Sequence, residues 1–251
     1  MTNLSENKSN NHLIYLDHAA STPVLQETIN EMIPYLGDLY GNPSSIHTYG
    51  IKSKMAIRIA RRRVASLIGA KSSEIFFTSG GTESDNFALK GISKCIRNYQ
   101  GEKNHIITSS IEHDAILETC HYLEKDGFTV AYLNVDKKGI IDRTELKNHL
   151  TEKTALVSIM LANNEIGVIQ PIKEFSEIVH KFDKRIIFHS DAVQAVGKIP
   201  VNVKELDLDS LSLSSHKING PKGVGALYVR EKVNFEPLIQ GGGQELTFRS
   251  G

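Results

Sequence analysis

The feature that most constrains the fold is an alternation of strand-like and helix-like segments from residue 74 to residue 229. The strand-like segments cover 74–78, 105–108, 128–135, 155–161, 185–189, 211–213 and 225–229, and helical segments cover 82–96, 113–124, 143–150 and 172–182. Parallel strands need a crossover connection, usually a helix, whereas antiparallel strands do not. The alternation therefore predicts an α/β fold, with a largely parallel sheet between two layers of helices.

The N-terminal part of the chain precedes this alternation. Residues 1–12 are polar and rich in Asn and Ser, which predicts a disordered tail, and they lack the apolar stretch of a secretory signal. Residues 13–16 predict a short strand within an N-terminal arm, 13–23, and helical spacing predicts helices over 24–36 and 51–68. The run Arg61–Arg63 is interpreted as a solvated helix face. No linker divides residues 24–230, so we expect one large domain.

Composition excludes several classes of function. The 29 Lys and Arg residues balance 29 Asp and Glu residues, so electrostatics gives no case for binding nucleic acid or an anionic membrane. No apolar run approaches the ~20 residues of a membrane span. The two cysteines form neither a disulfide framework nor a metal-ligand pattern. We expect a soluble cytoplasmic protein without a metal site.

The first candidate site follows the strand at 74–78, since ligands of such folds gather at the carboxyl ends of strands. There the strand leads through Gly80 and Gly81 into a helix start at Thr82. The free N–H groups and the dipole of a helix N-terminus favour a phosphate, and Thr82 could donate to the same anion. An ordinary capped turn explains the segment equally well. A nucleotide P-loop is excluded because its Gly-Lys-Ser/Thr ending is absent.

Polar residues also follow three other strands. His113 could stack on an aromatic cofactor or carry a proton, although a lone histidine at a helix start is more often a surface residue. Asn164 lies in a polar segment that a simple turn would also explain. Asp191 follows a buried-looking strand, where it needs a cationic partner such as a protonated pyridine nitrogen; the alternative is a capping aspartate. Gln194 could reach the same ligand.

Lys217 lies on a turn between the last two strands, beside Ser214 and His216. Both neighbours are donors suited to an anion, and a lysine amine in such surroundings is the usual way to hold an aldehyde cofactor as a Schiff base. A solvated loop lysine is the alternative. An anion cradle, a stacking group, a carboxylate for a ring nitrogen and a Schiff-base lysine together describe pyridoxal phosphate binding.

Several motifs occur in the order of a known family. They are Tyr15-Leu16-Asp17-His18-Ala19-Ala20-Ser21-Thr22-Pro23, Thr78-Ser79-Gly80-Gly81-Thr82-Glu83-Ser84-Asp85-Asn86, Glu112-His113, Asn163-Asn164-Glu165-Ile166-Gly167, His189-Ser190-Asp191-Ala192-Val193-Gln194, Ser214-Ser215-His216-Lys217, Gly220-Pro221-Lys222-Gly223 and Gly241-Gly242-Gly243-Gln244-Glu245. With this set the chain resembles the cysteine desulfurases of the class V aminotransferase group, which supply sulfur for iron–sulfur clusters and tRNA thiolation. The resemblance implies the large domain of fold type I pyridoxal phosphate enzymes.

The resemblance also implies a role for each matching residue. Lys217 would hold the cofactor aldehyde and carry the Cα proton, and Asp191 would keep the pyridine nitrogen protonated. His113 would stack on the ring, with Gln194 at the phenolic oxygen and Asn164 at the ring edge. The phosphate would be held by Gly81, Thr82, Ser214 and His216.

The implied reaction removes sulfur from L-cysteine and leaves alanine and a persulfide for an acceptor or scaffold protein, in a homodimer. In the family the attacking cysteine and the arginine for the substrate carboxylate lie in a small C-terminal domain, which would follow Gly251. Cys95 and Cys120 fall in predicted helices outside the motifs, so we interpret them as buried or inert. We therefore expect a truncated chain that is inactive by itself. The alternatives are a selenocysteine lyase, an aminotransferase or a non-catalytic fragment with this fold.

Overall fold

A single mixed sheet forms the centre of the structure, a computed structural model that describes residues 14–251. Its seven strands lie in the order β1-β7-β6-β5-β4-β2-β3. They are β1 (Ile75–Thr78), β2 (His105–Ser109), β3 (Thr129–Leu133), β4 (Thr154–Ser158), β5 (Ile187–Asp191), β6 (Ser210–Ser214) and β7 (Gly225–Val229). Every strand predicted between 74 and 229 is present, with ends shifted by a few residues.

Strand directions confirm the mostly parallel α/β fold, with one exception. Strands β3, β2, β4, β5 and β6 run parallel to one another, whereas β7 is antiparallel to both β1 and β6. Only residues 215–224 join β6 to β7, and that connection is too short for a helical crossover, so the two strands form a hairpin. Since β1 and β6 are each antiparallel to β7, β1 points the same way as the parallel strands.

Helices cover both faces of the sheet, as the alternation predicted. They are α1 (Gln26–Leu36), α2 (Thr48–Leu67), α3 (Gly81–Asn86), a π-helical stretch (Phe87–Ile92), α4 (Ser93–Gln100), α5 (Asp114–Lys125), α6 (Arg143–His149) and α7 (Ile172–Phe182). One hydrophobic cluster joins Val157 of β4 to α7, and the other joins Leu156 to the π-helical stretch and α5. Successive side chains of a strand point to opposite faces, so β4 contributes to both clusters. No helix within residues 14–251 is long and apolar enough to cross a membrane.

Two expectations for the N-terminal region are wrong, and two fall outside the described residues. Residues 14–16 form no strand: Ile14 and Leu16 are 81% and 85% exposed, and no described strand pairs with them. The solvated face proposed for Arg61–Arg63 holds for Arg62 and Arg63 but not for Arg61, which is buried and bonds Glu245. Leu13 and the tail predicted over 1–12 lie outside the described residues.

Candidate active site

A cavity of about 450 Å³ opens at the carboxyl edge of the parallel strands. Its lining includes all nine residues that the sequence singled out: Gly81, Thr82, His113, Asn164, Asp191, Gln194, Ser214, His216 and Lys217. They lie at the carboxyl ends of β1, β2, β4, β5 and β6 or in the loops that follow, and these ends meet at one edge of the sheet. Asp17, Ala19 and Ala20 of the N-terminal arm complete one wall.

The glycine pair after β1 brings main chain to the cavity wall without side chains. A Cβ on Gly81 would lie 2.8 Å from Val193 Cγ2, and a Cβ on Gly225 would lie 2.6 Å from the main chain of Gly80. The loop is pinned by a 2.7 Å hydrogen bond between the hydroxyls of Thr78 and Ser84. Because the first N–H groups of a helix have no intrahelical acceptor, this wall suits an anion.

Lys217 is held by the N-terminal arm. Its Nζ donates hydrogen bonds to the carbonyls of Ala19, at 2.6 Å, and Ala20, at 2.9 Å. Gln194 Nε2 donates to the same Ala19 carbonyl at 2.8 Å. Burial and the charge of Lys198 lower the pKa of Lys217. A lowered pKa increases the neutral, nucleophilic fraction of a lysine amine.

The arm and the lysine loop are joined by further hydrogen bonds. The main-chain N–H and the hydroxyl of Thr22 both donate to the His216 carbonyl at 2.9 Å. Asn219 returns a bond from its N–H to Thr22 Oγ1 at 2.7 Å, and His216 Nδ1 lies 3.2 Å from Ser21 Oγ. The arm therefore packs on the loop as an irregular strap rather than as a strand.

Asp191 ends β5 and is a buried carboxylate without a cationic partner among the described residues. One of its oxygens, Oδ1, accepts a 2.8 Å bond from Val193 N–H. Burial, followed by the negative charge of Asp85, raises the pKa of Asp191 to about 7. A positive charge inside the cavity would relieve this cost. The observation fits the sequence argument that Asp191 faces a protonated ring nitrogen.

His113 and Asn164 reach the cavity from loops with distinct local structures. His113 caps α5, and its Nδ1 accepts a 3.0 Å bond from Ala115 N–H, which leaves Nε2 as the nitrogen that carries the proton in the neutral ring. Asn163 builds the turn after β4 by accepting bonds from the N–H groups of 165 and 166. Asn163 thus forms the turn, and the neighbouring Asn164 lines the cavity.

The sequence analysis assigned no role to Asp85, which also lines the cavity and is fully buried. It lies on α3 four residues after Gly81, in register with Leu89 and Ile92 of the following buried stretch. A carboxylate within an otherwise apolar helix face is the signal that identifies such a residue.

Neither cysteine lies in the cavity. Cys95 and Cys120 are free and buried, as the sequence indicated. Burial raises the pKa of both thiols, that of Cys120 to about 12. Thiols with such pKa values stay protonated and unreactive near neutral pH.

Together, the sheet order and the cavity define an α/β protein with a ligand site at its strand ends, built around a lysine, a buried aspartate and a glycine loop. The chain belongs to the aminotransferase class-V family, whose sequence pattern matches residues 14–250. Enzymes of this family depend on pyridoxal phosphate. The buried Asp191 carboxylate, which has no cationic partner among the described residues, the crowded Gly81 and the Lys217 amine fit that cofactor.

Comparison with individual proteins shows which members of the family this chain is similar to. The chain is 53% identical over 241 residues to the cysteine desulfurase IscS of Methanosarcina thermophila, covering 96% of this chain and 58% of the relative. Among solved structures, a NifS-like protein superposes with a TM-score of 0.91 at 46% identity, covering 95% of this chain and 65% of the other. A structure described as SspA in complex with cysteine gives a TM-score of 0.90 at 44% identity, covering 94% and 67%. This chain thus spans well under two thirds of its curated relative.

Proposed function

We propose that this chain forms the cofactor-binding part of a cysteine desulfurase, which removes sulfur from L-cysteine and leaves alanine. The observation that carries the proposal is the convergence of Lys217, Asp191 and the Gly80–Gly81 loop on one cavity. Identity of 53% to a cysteine desulfurase supports the reaction class over other members of the family.

Each side chain has a task that its position supports. Lys217, with its lowered pKa, would hold the cofactor aldehyde and then move the Cα proton of the substrate. Asp191 would keep the ring nitrogen protonated, and the imidazole of His113 would pack against the ring. The helix start at Gly81 and Thr82, with Ser214 and His216, would bind the phosphate. When bound, the cofactor supplies an electron sink for the charge left at Cα.

Gln194 and Asn164 would orient the ring through its phenolic oxygen and its edge. Gln194 shares the Ala19 carbonyl with Lys217, so both side chains depend on the placement of the arm. The arm therefore contributes to positioning the lysine as well as to closing the cavity.

The partners we propose are a sulfur-accepting or scaffold protein and a second copy of the chain, in iron–sulfur cluster or thionucleoside synthesis. Exposed apolar side chains on the first two helices support a subunit interface. Within the described part of the chain α1 buries no residue, and Ile33, Leu36 and Ile51 are at least half exposed. The two unpaired buried thiols suit the reducing cytoplasm that we propose as its location.

The decisive experiment is to map the lysine that carries the cofactor. The 251-residue chain is incubated with pyridoxal phosphate, reduced with borohydride and digested for peptide mapping. We expect the pyridoxyl group on Lys217, and its loss in Lys217→Arg but not in the matched variant Lys222→Arg, since Lys222 is exposed on the same loop. Modification of Lys222, or none at all, would refute the assignment.

A further inference from the structure

At the cavity wall, Asp85 packs against the buried His189, and the proposed mechanism uses neither side chain. Asp85 and His189 are fully buried, and Asp85 Oδ1 lies 3.5 Å from His189 Nε2. Both atoms lack a hydrogen-bond partner among the described residues. Because unsatisfied buried polar atoms are costly, their retention at a cavity wall calls for an explanation.

Asp85 and Asp191 reach this wall from different elements. Asp85 comes from α3 and Asp191 from the end of β5, two residues beyond His189 on the same strand face. Both side chains are buried, 1% and 5% exposed, and line the same cavity, and two buried carboxylates that share a site resist ionising together without a compensating cation. In the ligand-free site the pair therefore favours keeping one proton.

The other ionisable groups around the pair leave that proton in place. Burial lowers the pKa of His189 to about 4, so its imidazole is neutral. Burial raises the pKa of Glu112 to about 8, so this carboxyl is largely neutral at pH 7; its Oε1 accepts bonds from Ser109 and Met160. On α3 itself, Glu83 is turned away and paired with Arg249.

The remaining elements around the pair add little charge. Strands β1 and β6 carry no ionisable side chain, and the Tyr228 hydroxyl of β7 is directed to the Leu208 carbonyl. His113 lies in the loop before α5 and lowers the pKa of Asp191 only slightly. Among the described residues that line the cavity, Lys217 is the one lysine or arginine, and its amine donates to the carbonyls of Ala19 and Ala20.

We propose that Asp85 is a positioning residue: with Asp191 it holds one proton in the ligand-free cavity, and that proton passes to solvent when a cationic ring nitrogen binds against Asp191. The first half concerns the protein alone, and the second half rests on the proposed function. Burial raises the pKa of Asp85 to about 7, which places the shared proton in the physiological range. Asp85 thereby sets how much of Asp191 is ionised before a ligand arrives.

The first half is tested by following the carboxyl ¹³C signals of the Asp-labelled chain as the pH changes. We expect Asp191 to titrate near pH 7 rather than near its ordinary value of about 4. Asp85→Asn should lower the Asp191 midpoint, because it removes the neighbouring charge. The matched variant Glu83→Gln, two residues away on α3, should leave it unchanged.

The titration can also be read from the other partner. In Asp191→Asn the Asp85 midpoint should fall in the same way, so the coupling remains measurable if Asp85→Asn does not fold. An Asp191 signal that titrates near pH 4, or a midpoint that does not change when the other aspartate is substituted, would overturn the proposal. A purely structural role for Asp85 would change stability without moving the Asp191 midpoint.

The second half is tested by calorimetry with 4′-deoxypyridoxine 5′-phosphate, which has the ring nitrogen and phosphate but no aldehyde to react with Lys217. Titrations at pH 7 in two buffers of different ionisation enthalpy give the number of protons released. Two groups with pKa values of about 7 are each half protonated at that pH and together hold about one proton, so the native chain should release up to about one proton more than Asp85→Asn. Equal release would refute this half, whereas no binding to the native chain would count against the proposed function and leave the titration result standing.

Discussion

Replacing Arg61 by methionine should destabilise the fold by about 3–5 kcal/mol. The two terminal nitrogens of the Arg61 guanidinium lie 2.6 and 2.8 Å from the two oxygens of Glu245, and each side chain is only 10% exposed. Glu245 also accepts a 2.9 Å bond from Phe77 N–H. Without Arg61 the buried Glu245 carboxylate would keep only this one main-chain donor. The substitution therefore leaves a buried charge without a countercharge, rather than merely removing a contact.

Thermal unfolding followed by circular dichroism measures the effect, since the chain has no tryptophan. For a domain of this size, a loss of 3–5 kcal/mol corresponds to a fall in Tm of about 6–20 °C. The matched variant Arg62→Met alters the exposed neighbour and should change stability by less than about 0.5 kcal/mol. The double variant Arg61→Met/Glu245→Leu should recover part of the loss, because it removes both charges together but leaves the Ile75 carbonyl and the Phe77 N–H without their side-chain partners.

Two results would refute this reasoning. One is an Arg61→Met chain that melts within about 2 °C of the native chain, which would show a pair worth no more than a surface ion pair. The other is a double variant whose loss equals the sum of the single losses, which would show that the two side chains do not interact.

Three further outcomes are expected. Burial opposes the charged form of His180, but hydrogen bonds and charges from two flanking aspartates outweigh burial and raise the His180 pKa. The charged pair therefore stabilises the fold fully below the unfolded pKa of about 6.5, and this contribution is lost as the pH rises through the folded pKa. His180→Gln should reduce the free energy of unfolding more at pH 6 than at pH 9. The folded pKa of Asp191 is about 7 and lies above its unfolded value, so ionising this carboxyl lowers the free energy of unfolding as the pH rises towards 7. Asp191→Asn should therefore be more stable than the native chain at pH 8.5, by up to about 4 kcal/mol, and should gain nothing at pH 4. Assays of alanine and sulfide release from L-cysteine should show no turnover by the 251-residue chain, because neither thiol reaches the cavity. The double variant Cys95→Ala/Cys120→Ala should behave in the same way. Turnover that disappears in the double variant would refute this expectation.

The sequence predicted the sheet and the site because both depend on local patterns. Alternating strands and helices place strand ends at one edge, and the polar residues at those ends, such as Asp191 and Lys217, then had to meet there. The glycine loop and His113 followed from the same rule. Their individual roles stay predictions, which the lysine mapping and the carboxyl titration address.

What the sequence could not supply depends on contacts between distant segments. Arg61 belongs to a charged run, and only the docking of Glu245, 184 residues further on, shows that its side chain is buried. Residues 14–16 have the composition of a strand but pair with no strand among residues 14–251, and a strand requires a partner. The strap that the arm forms over Lys217 also joins segments almost the whole chain apart, and no local pattern indicates it.

The hairpin that carries Lys217 and the contact between this hairpin and the N-terminal arm form at very different times. Strands β6 and β7 are joined by residues 215–224, and such hairpins form within about 1–10 μs. The bond from Lys217 to Ala19 spans 198 residues, so loop-closure entropy disfavours it until the intervening strands have assembled. During synthesis the arm emerges first, yet it has no docking surface until the lysine loop leaves the ribosome about 200 residues later, at about 10–40 s for 5–20 residues per second. The lysine amine is therefore uncovered in every partly folded form that precedes this last contact.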